Sequence, residues 1–352
     1  MRDQVSVIMP VYNASKWLDK SIGCLISQTY PNWELFAVND GSTDDSLQIL
    51  QAWADKDSRI KVFDKKSGGA AKTRAYGMQF VSSDCLFYFD ADDFIGENML
   101  ESCLAAMKET EADVAMPNLI QQEPGGRVLN DNYKTFGIEP GTVIDGQVAF
   151  ERSIDWSGTW APALYHTELF KKIACDESYL GYFNSAELIT RIIFLNCNRI
   201  VYCDAKYYYN IHPESMSRKV SAKYFGYLDT DIRLIQEAKA NGQARNVVAK
   251  AEVFAFREMI ELWHHYRENK SQFTDEEKPG IIEKFASFHK RFPTENIEKM
   301  LSDRPGTTPK LQRLLLLHGW PLCKASLTLA AKLGKKNKLY PWFSEEQIKS
   351  LK

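Results

Sequence analysis

The sequence has 352 residues, 44% of them hydrophobic, and a formal net charge of −2. That length supports two domains or one large domain with an extension, and so even a balance of charge gives no overall field to hold nucleic acid. The seven cysteines are odd in number, form no C-x-x-C pair and sit partly inside apolar runs, which excludes a disulfide framework or zinc site and reads as reduced core thiols of a cytosolic protein. No apolar stretch reaches the roughly 18 residues of a membrane-spanning helix, and the residues before Val5 lack a signal peptide's apolar core.

The first strand is Val5 to Met9, stopped by Pro10. Ser15 is placed to cap a helix running to about Gln28, with Trp17, Leu18, Ile22, Leu25 and Ile26 on one face. Trp33 to Val38 forms the second strand and ends in Asn39-Asp40-Gly41-Ser42-Thr43-Asp44-Asp45. Ser42 and Asp45 have the spacing of a capping box, with Asp in place of the usual Glu or Gln. The next helix carries Leu47, Ile49, Leu50 and Trp53. Ile60 to Phe63 is the third strand, broken by Ser67-Gly68-Gly69 before a helix that reaches Phe80. Strands separated by helices imply parallel pairing.

The fourth strand carries the most chemistry. Cys85-Leu86-Phe87-Tyr88-Phe89 is apolar and aromatic, the pattern of a buried parallel strand, and it ends in Asp90-Ala91-Asp92-Asp93. Carboxylates so close repel one another unless a cation or water intervenes. Open α/β sheets place their ligands at such strand ends. Two readings stand: a divalent metal site that receives a phosphate-bearing ligand, or an acidic turn that caps the next helix.

From about residue 95 to 220 the pattern is mixed, with the loop Glu123-Pro124-Gly125-Gly126 and aromatic segments around Trp156, Trp160 and Tyr207-Tyr208-Tyr209. Beyond 221 it is helical, most clearly over Asn246 to Arg267, so the expected domains are 1–220 and 221–352. Between Arg304 and Ser344 there is no acidic residue, while Lys310, Arg313, Lys324, Lys332, Lys335, Lys336 and Lys338 alternate with Leu and Trp. The segment 305–343 suits either an anionic membrane surface or a packed helix with a solvated basic face.

The opening Val5-Ser6-Val7-Ile8-Met9-Pro10-Val11-Tyr12-Asn13 resembles the start of the inverting glycosyltransferase family 2. The resemblance continues in order through Ser27-Gln28-Thr29-Tyr30-Pro31-Asn32-Trp33-Glu34-Leu35, Val38-Asn39-Asp40-Gly41-Ser42, the Gly69, Arg74 and Gly77 spacing, and the D-x-D motif Asp90-Ala91-Asp92. It covers residues 4 to 95 closely and runs more loosely to about 220. It implies an α/β GT-A fold, a Rossmann-like mixed sheet with flanking helices, here followed by a helical C-terminal extension. It also implies transfer of a sugar from a nucleoside-diphosphate donor, UDP in the first instance, to a glycan or lipid-linked acceptor at the inner face of the plasma membrane. By the same resemblance Asp92 binds Mn²⁺ or Mg²⁺ and Asp90 touches the ribose or the metal. Asp40 accepts from the base. Pro10, Tyr12 and Asn13 line the nucleoside pocket beside Ala91. Arg74 approaches base or diphosphate, and His212 contacts the metal or diphosphate. Asn39 departs from the family's frequent acid, as does Ala75 from its frequent Asn.

An inverting transfer also needs a base opposite the leaving group. The family places it in an acidic pair at a helix start, which the resemblance aligns with Ser185-Ala186-Glu187. Only Glu187 is acidic. Either Glu187 is the base, or Ala186 stands where the base is expected and the chain is a sugar-nucleotide-binding homologue with impaired transfer, or Glu187 caps a helix. A Rossmann dehydrogenase is excluded, since Pro10-Val11-Tyr12-Asn13 replaces the glycine-rich turn.

Overall fold

A computed structural model describes residues 4–154, 162–212, 220–302 and 316–332. They fall into two compact units: one holds the described residues up to Phe150, from Pro162 to Gly181 and from Ser185 to His212, and the other holds Glu151 to Ile154, Tyr182 to Asn184 and those from Val220 onward.

The first unit is built on a ten-stranded sheet. Its first half is the parallel set that alternating strands and helices dictate: β1 (Val5–Val11), β2 (Trp33–Asn39), β3 (Ile60–Asp64) and β4 (Cys85–Tyr88), in the order β3-β2-β1-β4. β1 and β2 are buried almost throughout because helices cover both faces. Val5, Val7, Met9, Leu35 and Ala37 share one core with Leu18, Ile22 and Leu25 of α1 (Leu18–Ile26), Leu50 of α2 (Ser46–Ala54), and Met99, Leu100 and Cys103 of α4 (Met99–Thr110). The residues between them point the other way, against α3 (Ala70–Met78). There Gly77 lets the helix backbone meet the sheet, and a Cβ on it would lie 2.9 Å from Ile8 Cγ2.

The second half of the sheet is mixed. β9 (Leu164–His166) runs antiparallel between β4 and β6 (Val114–Gln122). β10 (Arg199–Asn210) lies parallel to β6 and antiparallel to the two-residue β5 (Phe94–Ile95), with Tyr207 opposite Ile95 and Tyr208 opposite Phe94. β7 (Val128–Asp131) pairs with β6, and β8 (Val143–Asp145) with β10. Short helices α5 (Asn132–Phe136), α6 (Gly146–Ile154), α7 (Thr167–Ala174), α8 (Glu177–Leu180) and α9 (Ser185–Asn196) connect these strands.

The second unit carries α10 (Tyr227–Ala240), α11 (Arg245–Glu268), α12 (Glu277–Arg291), α13 (Glu295–Ser302) and α14 (Trp320–Lys332). An aromatic cluster holds it: the Phe285 and Trp320 rings stack at 5.1 Å, and Trp263 meets both edge-on. No helix among the described residues is long and apolar enough to cross a membrane.

Three local expectations are corrected. β1 does not stop at Pro10 but continues to Val11. The β1–β4 ladder ends at the Ile8–Tyr88 pair, so Pro10, whose backbone faces that side, sits where no ladder bond asks for its missing N–H. Ser15 does not cap α1; Trp17 precedes the helix without a side-chain cap, and the Ser15 N–H instead donates to Asp44. Ser42 and Asp45 form no capping box, because the Ser42 hydroxyl accepts from the Asn13 N–H. All seven cysteines are free.

Replacing Gly77 by Ala should push α3 off the sheet and cost about 1–3 kcal/mol. A urea midpoint equal to that of the parent would refute this account of the helix–sheet approach.

Candidate active site

The ends of β1, β2 and β4 converge, and the loops that follow them are tied together by short polar side chains. Asn13 adopts the left-handed conformation, φ 50°, which Asn tolerates better than most residues. Its Oδ1 accepts from the Thr43 N–H at 2.8 Å, and its own N–H donates to Ser42 Oγ at 3.0 Å. Asp44 receives Ser15 N–H on one oxygen and the Ser46 hydroxyl and N–H on the other. Burial would raise the Asp44 pKa, but these bonds outweigh it and bring it down to about 2. Asn13, two residues past β1, is thereby fixed, and Tyr12 is left 55% exposed beside it.

Asp40 is buried just past β2. Oδ1 accepts from Lys65 Nζ at 2.6 Å and Gly68 N–H at 2.8 Å; Oδ2 accepts from Gly69 N–H at 2.8 Å and the Ser67 hydroxyl at 3.4 Å. These donors overcome the effect of burial and hold its pKa below the usual carboxylate value. Gly68 and Gly69 directly precede α3, so Asp40 fixes the start of the helix that carries Arg74. Lys65 is a partner that the sequence reading missed, and no motif marks it. Asn39, where the family often has an acid, donates to Asp64 Oδ1 at 2.7 Å and joins the ends of β2 and β3.

Arg74 reaches from α3 to Asp90, with Nη2 to Oδ1 at 3.0 Å and its guanidinium over the Tyr88 ring at 5.1 Å. Asp92 lies at the opening with 39% of its side chain exposed, and its Oδ2 is 3.1 Å from His212 Nε2. The His212 ring packs against Trp17 at 5.0 Å. Desolvation and the neighbouring Asp90 raise the Asp92 pKa, and His212 opposes them. Asp93 neither points into the opening nor caps the next helix. It is wholly buried, with Oδ2 taking the Tyr207 hydroxyl at 2.6 Å and Oδ1 taking the Asn210 N–H at 2.9 Å. Burial and the charges of Asp92 and Asp90 push its pKa well up.

Among the described residues no group of three or more His, Cys, Asp or Glu is arranged to hold a metal ion by itself. Asp92 and His212 do fit as a pair. Ligands adjacent on an octahedral ion with bonds of about 2.1 Å sit about 3 Å apart, which matches their 3.1 Å separation. Mg²⁺ commonly takes one or two protein ligands and completes its shell with phosphate and water, so a two-donor set suits a phosphate-bearing substrate.

Ala186 and Glu187 lie in the first turn of α9. The Ala186 carbonyl accepts from the Thr190 hydroxyl, and Glu187 Oε2 is 3.7 Å from the buried Arg191 guanidinium one turn on. Neither is bonded to the carboxylate loop. Trp160 and the segment 213–217 after His212 lie outside the described residues. The expected residues thus gather at one end of the sheet: Pro10 near the end of β1, Arg74 on α3, and Tyr12, Asn13, Asp40, Asp90, Ala91, Asp92 and His212 on the loops that follow the strands.

Comparison with known proteins matches residues 6–174 to the pattern of glycosyl transferase family 2. The curated relatives include the glycosyltransferase GlyA of Streptococcus pneumoniae, 28% identical over 63% of this chain and 32% of GlyA. They also include the poly(ribitol-phosphate) beta-N-acetylglucosaminyltransferase TarS of Staphylococcus aureus, 29% identical over 58% of this chain and 35% of TarS. The chain therefore spans about a third of the length of these two relatives. In fold it is similar to residues 1–349 of S. aureus TarS, solved in complex with UDP-GlcNAc: TM-score 0.67, 21% identity, 94% of this chain and 92% of that one. It is similar also to the mannosyltransferase PcManGT of Pyrobaculum calidifontis, solved with GDP-Man and Mn²⁺: TM-score 0.51, 12% identity, 99% of this chain and 85% of that one. The mixed sheet with flanking helices is thus a GT-A arrangement, and the ordered motifs from Pro10 to Asp92 lie on it within a glycosyl transferase family 2 domain that spans residues 6–174.

Proposed function

We propose that this chain transfers a sugar, with inversion, from a UDP-sugar to a hydroxyl of a glycan or lipid-linked acceptor, using Mn²⁺ or Mg²⁺. The observation that carries the reading is the 3.1 Å approach of Asp92 and His212 beside the Arg74–Asp90 pair, at the end of a buried strand. A divalent ion held there would neutralise the charge that grows on the departing diphosphate. Arg74 holds Asp90 toward the ribose side of the opening, and its guanidinium has the planar geometry that suits phosphate. The exposed Tyr12 ring offers a face for the base, beside Pro10 and the fixed Asn13. Asp40 reads the base N–H by exchanging its longest bond, the 3.4 Å contact with Ser67, while the other three donors keep it ionised and in place. TarS, solved with UDP-GlcNAc, makes that nucleotide sugar the first donor to test.

A thermal-shift titration tests the donor site. UDP-GlcNAc with Mn²⁺ should raise Tm by about 2–4 °C near 100 times Kd, and Asp92→Asn should abolish the metal-dependent part. If no UDP-sugar stabilises the protein with Mn²⁺, or if the Asn variant responds as the parent does, the donor reading fails.

A second reading, a sugar-nucleotide-binding homologue with little transfer, is favoured by Ala186 at the expected base position and by Glu187 facing Arg191. An Asp in the first turn of α9 suits the helix dipole, so Ala186→Asp should fold. It should raise turnover by about 10²-fold or more if position 186 is that of the base. Glu187→Ala in that background should cost far less. Unchanged turnover in Ala186→Asp would eliminate position 186.

We further propose that the C-terminal region lies on an anionic membrane at its cytoplasmic face. On α14, Leu322 and Leu329 are 45% and 58% exposed and seven residues apart, hence on one side of the helix. They lie in the window without acidic residues. The protein should sediment with phosphatidylglycerol vesicles and not with phosphatidylcholine vesicles. Leu322→Glu with Leu329→Glu should release it, and equal binding to both lipids would refute the proposal.

A further inference from the structure

The hydroxyl of Tyr207 links two stretches that are distant in sequence. It donates to Asp93 Oδ2 at 2.6 Å and accepts from the Asp90 N–H at 3.3 Å. The ring is fully buried and meets Phe87 and Phe89 edge-on, so the hydroxyl has little freedom to move. Three residues on, the Asn210 N–H donates to Asp93 Oδ1 and its Nδ2 to the Asp92 carbonyl at 3.1 Å. Both oxygens of Asp93 are therefore engaged with β10 and neither faces the opening. Within the loop itself, the Asp93 N–H donates back to the Asp90 carbonyl at 3.1 Å, which closes a turn around Ala91 and Asp92.

Asp92 and His212 come from the two sides of this junction: Asp92 from the turn, His212 from the chain two residues beyond Asn210. Their separation therefore depends on how β10 is seated against the turn, which the Tyr207 and Asn210 bonds hold. We infer that Tyr207, acting through Asp93, is a positioning residue that sets the distance between the two metal donors; this rests on the donor-site reading given above. Asp93 is then a buried strut, and the third acid of the motif contributes no metal bond. Residues that orient metal ligands typically change affinity by about 10–100-fold when removed.

The experiment measures Mn²⁺ binding directly, by the electron paramagnetic resonance signal of free Mn²⁺ in the presence of saturating UDP, well below the melting temperature. Tyr207→Phe keeps the ring and removes only the hydroxyl. It should weaken Mn²⁺ binding at least about tenfold while UDP binding without metal stays as in the parent. Asp93→Asn, which keeps the shape, should do the same and serves if Tyr207→Phe does not fold. Leu50→Ala on α2, which lowers stability away from the junction, should leave Mn²⁺ affinity unchanged. If Tyr207→Phe and Asp93→Asn bind Mn²⁺ as the parent does, or if Leu50→Ala weakens it equally, the positioning role is overturned while the donor reading stands. If the parent itself takes up no Mn²⁺ with UDP, both are overturned.

Discussion

Crowding of negative charge at the end of β4 is the constraint around which the first unit is arranged. Asp90, Asp92 and Asp93 follow a strand whose side chains are buried, in a place where uncompensated carboxylates would be strongly destabilising. Each is relieved differently. Arg74 neutralises Asp90, and the burial that makes this pairing tight is made possible by Gly77, without whose missing Cβ the helix could not approach. Asp93 is buried and takes two hydrogen bonds from β10. Asp92 is the most open of the three, with a histidine as neighbour. Relief of charge thus leaves the most exposed of the three carboxylates facing outward.

A similar economy holds on the other side of the opening. Asp40 and Asp44 are both kept below ordinary carboxylate values by local donors rather than by water. Asp44 secures the turn after β1 and Asp40 the start of α3. This side of the opening therefore stands on hydrogen-bonded loops whose geometry is fixed without a ligand, which reduces the ordering that any binding there must supply.

The first four strands were legible in the sequence because apolar runs of β-branched and aromatic residues, each followed by a helical pattern, have few other solutions. Asp90, Asp92, Arg74 and Tyr12 were legible because their motifs occur in order. What the sequence concealed depended on tertiary partners. Ser42 and Asp45 have capping-box spacing, yet the nearer competitor for the Ser42 hydroxyl is Asn13, a residue 29 positions away. Pro10 reads as a strand terminator until the end of the β4 ladder shows that its missing donor is not needed. Asp93 looked like a ligand or a cap, and only the pairing of Tyr208 with Phe94 reveals why it is neither. The antiparallel strands β5 and β9 are too short to carry a periodic signal.

The junction between β10 and the carboxylate turn joins residues 114 and 117 positions apart. Closing so long a loop is entropically costly and is rewarded only once both partners are formed. On the ribosome, the β1–β4 layer can collapse as soon as it emerges. The carboxylate end of that layer stays unfinished until the chain has been made past residue 212, because a strand that completes it is encoded more than a hundred residues downstream. Bracing of the carboxylate turn is therefore a late event in the life of the nascent chain, and a translation product interrupted before β10 would carry its acidic loop unbraced.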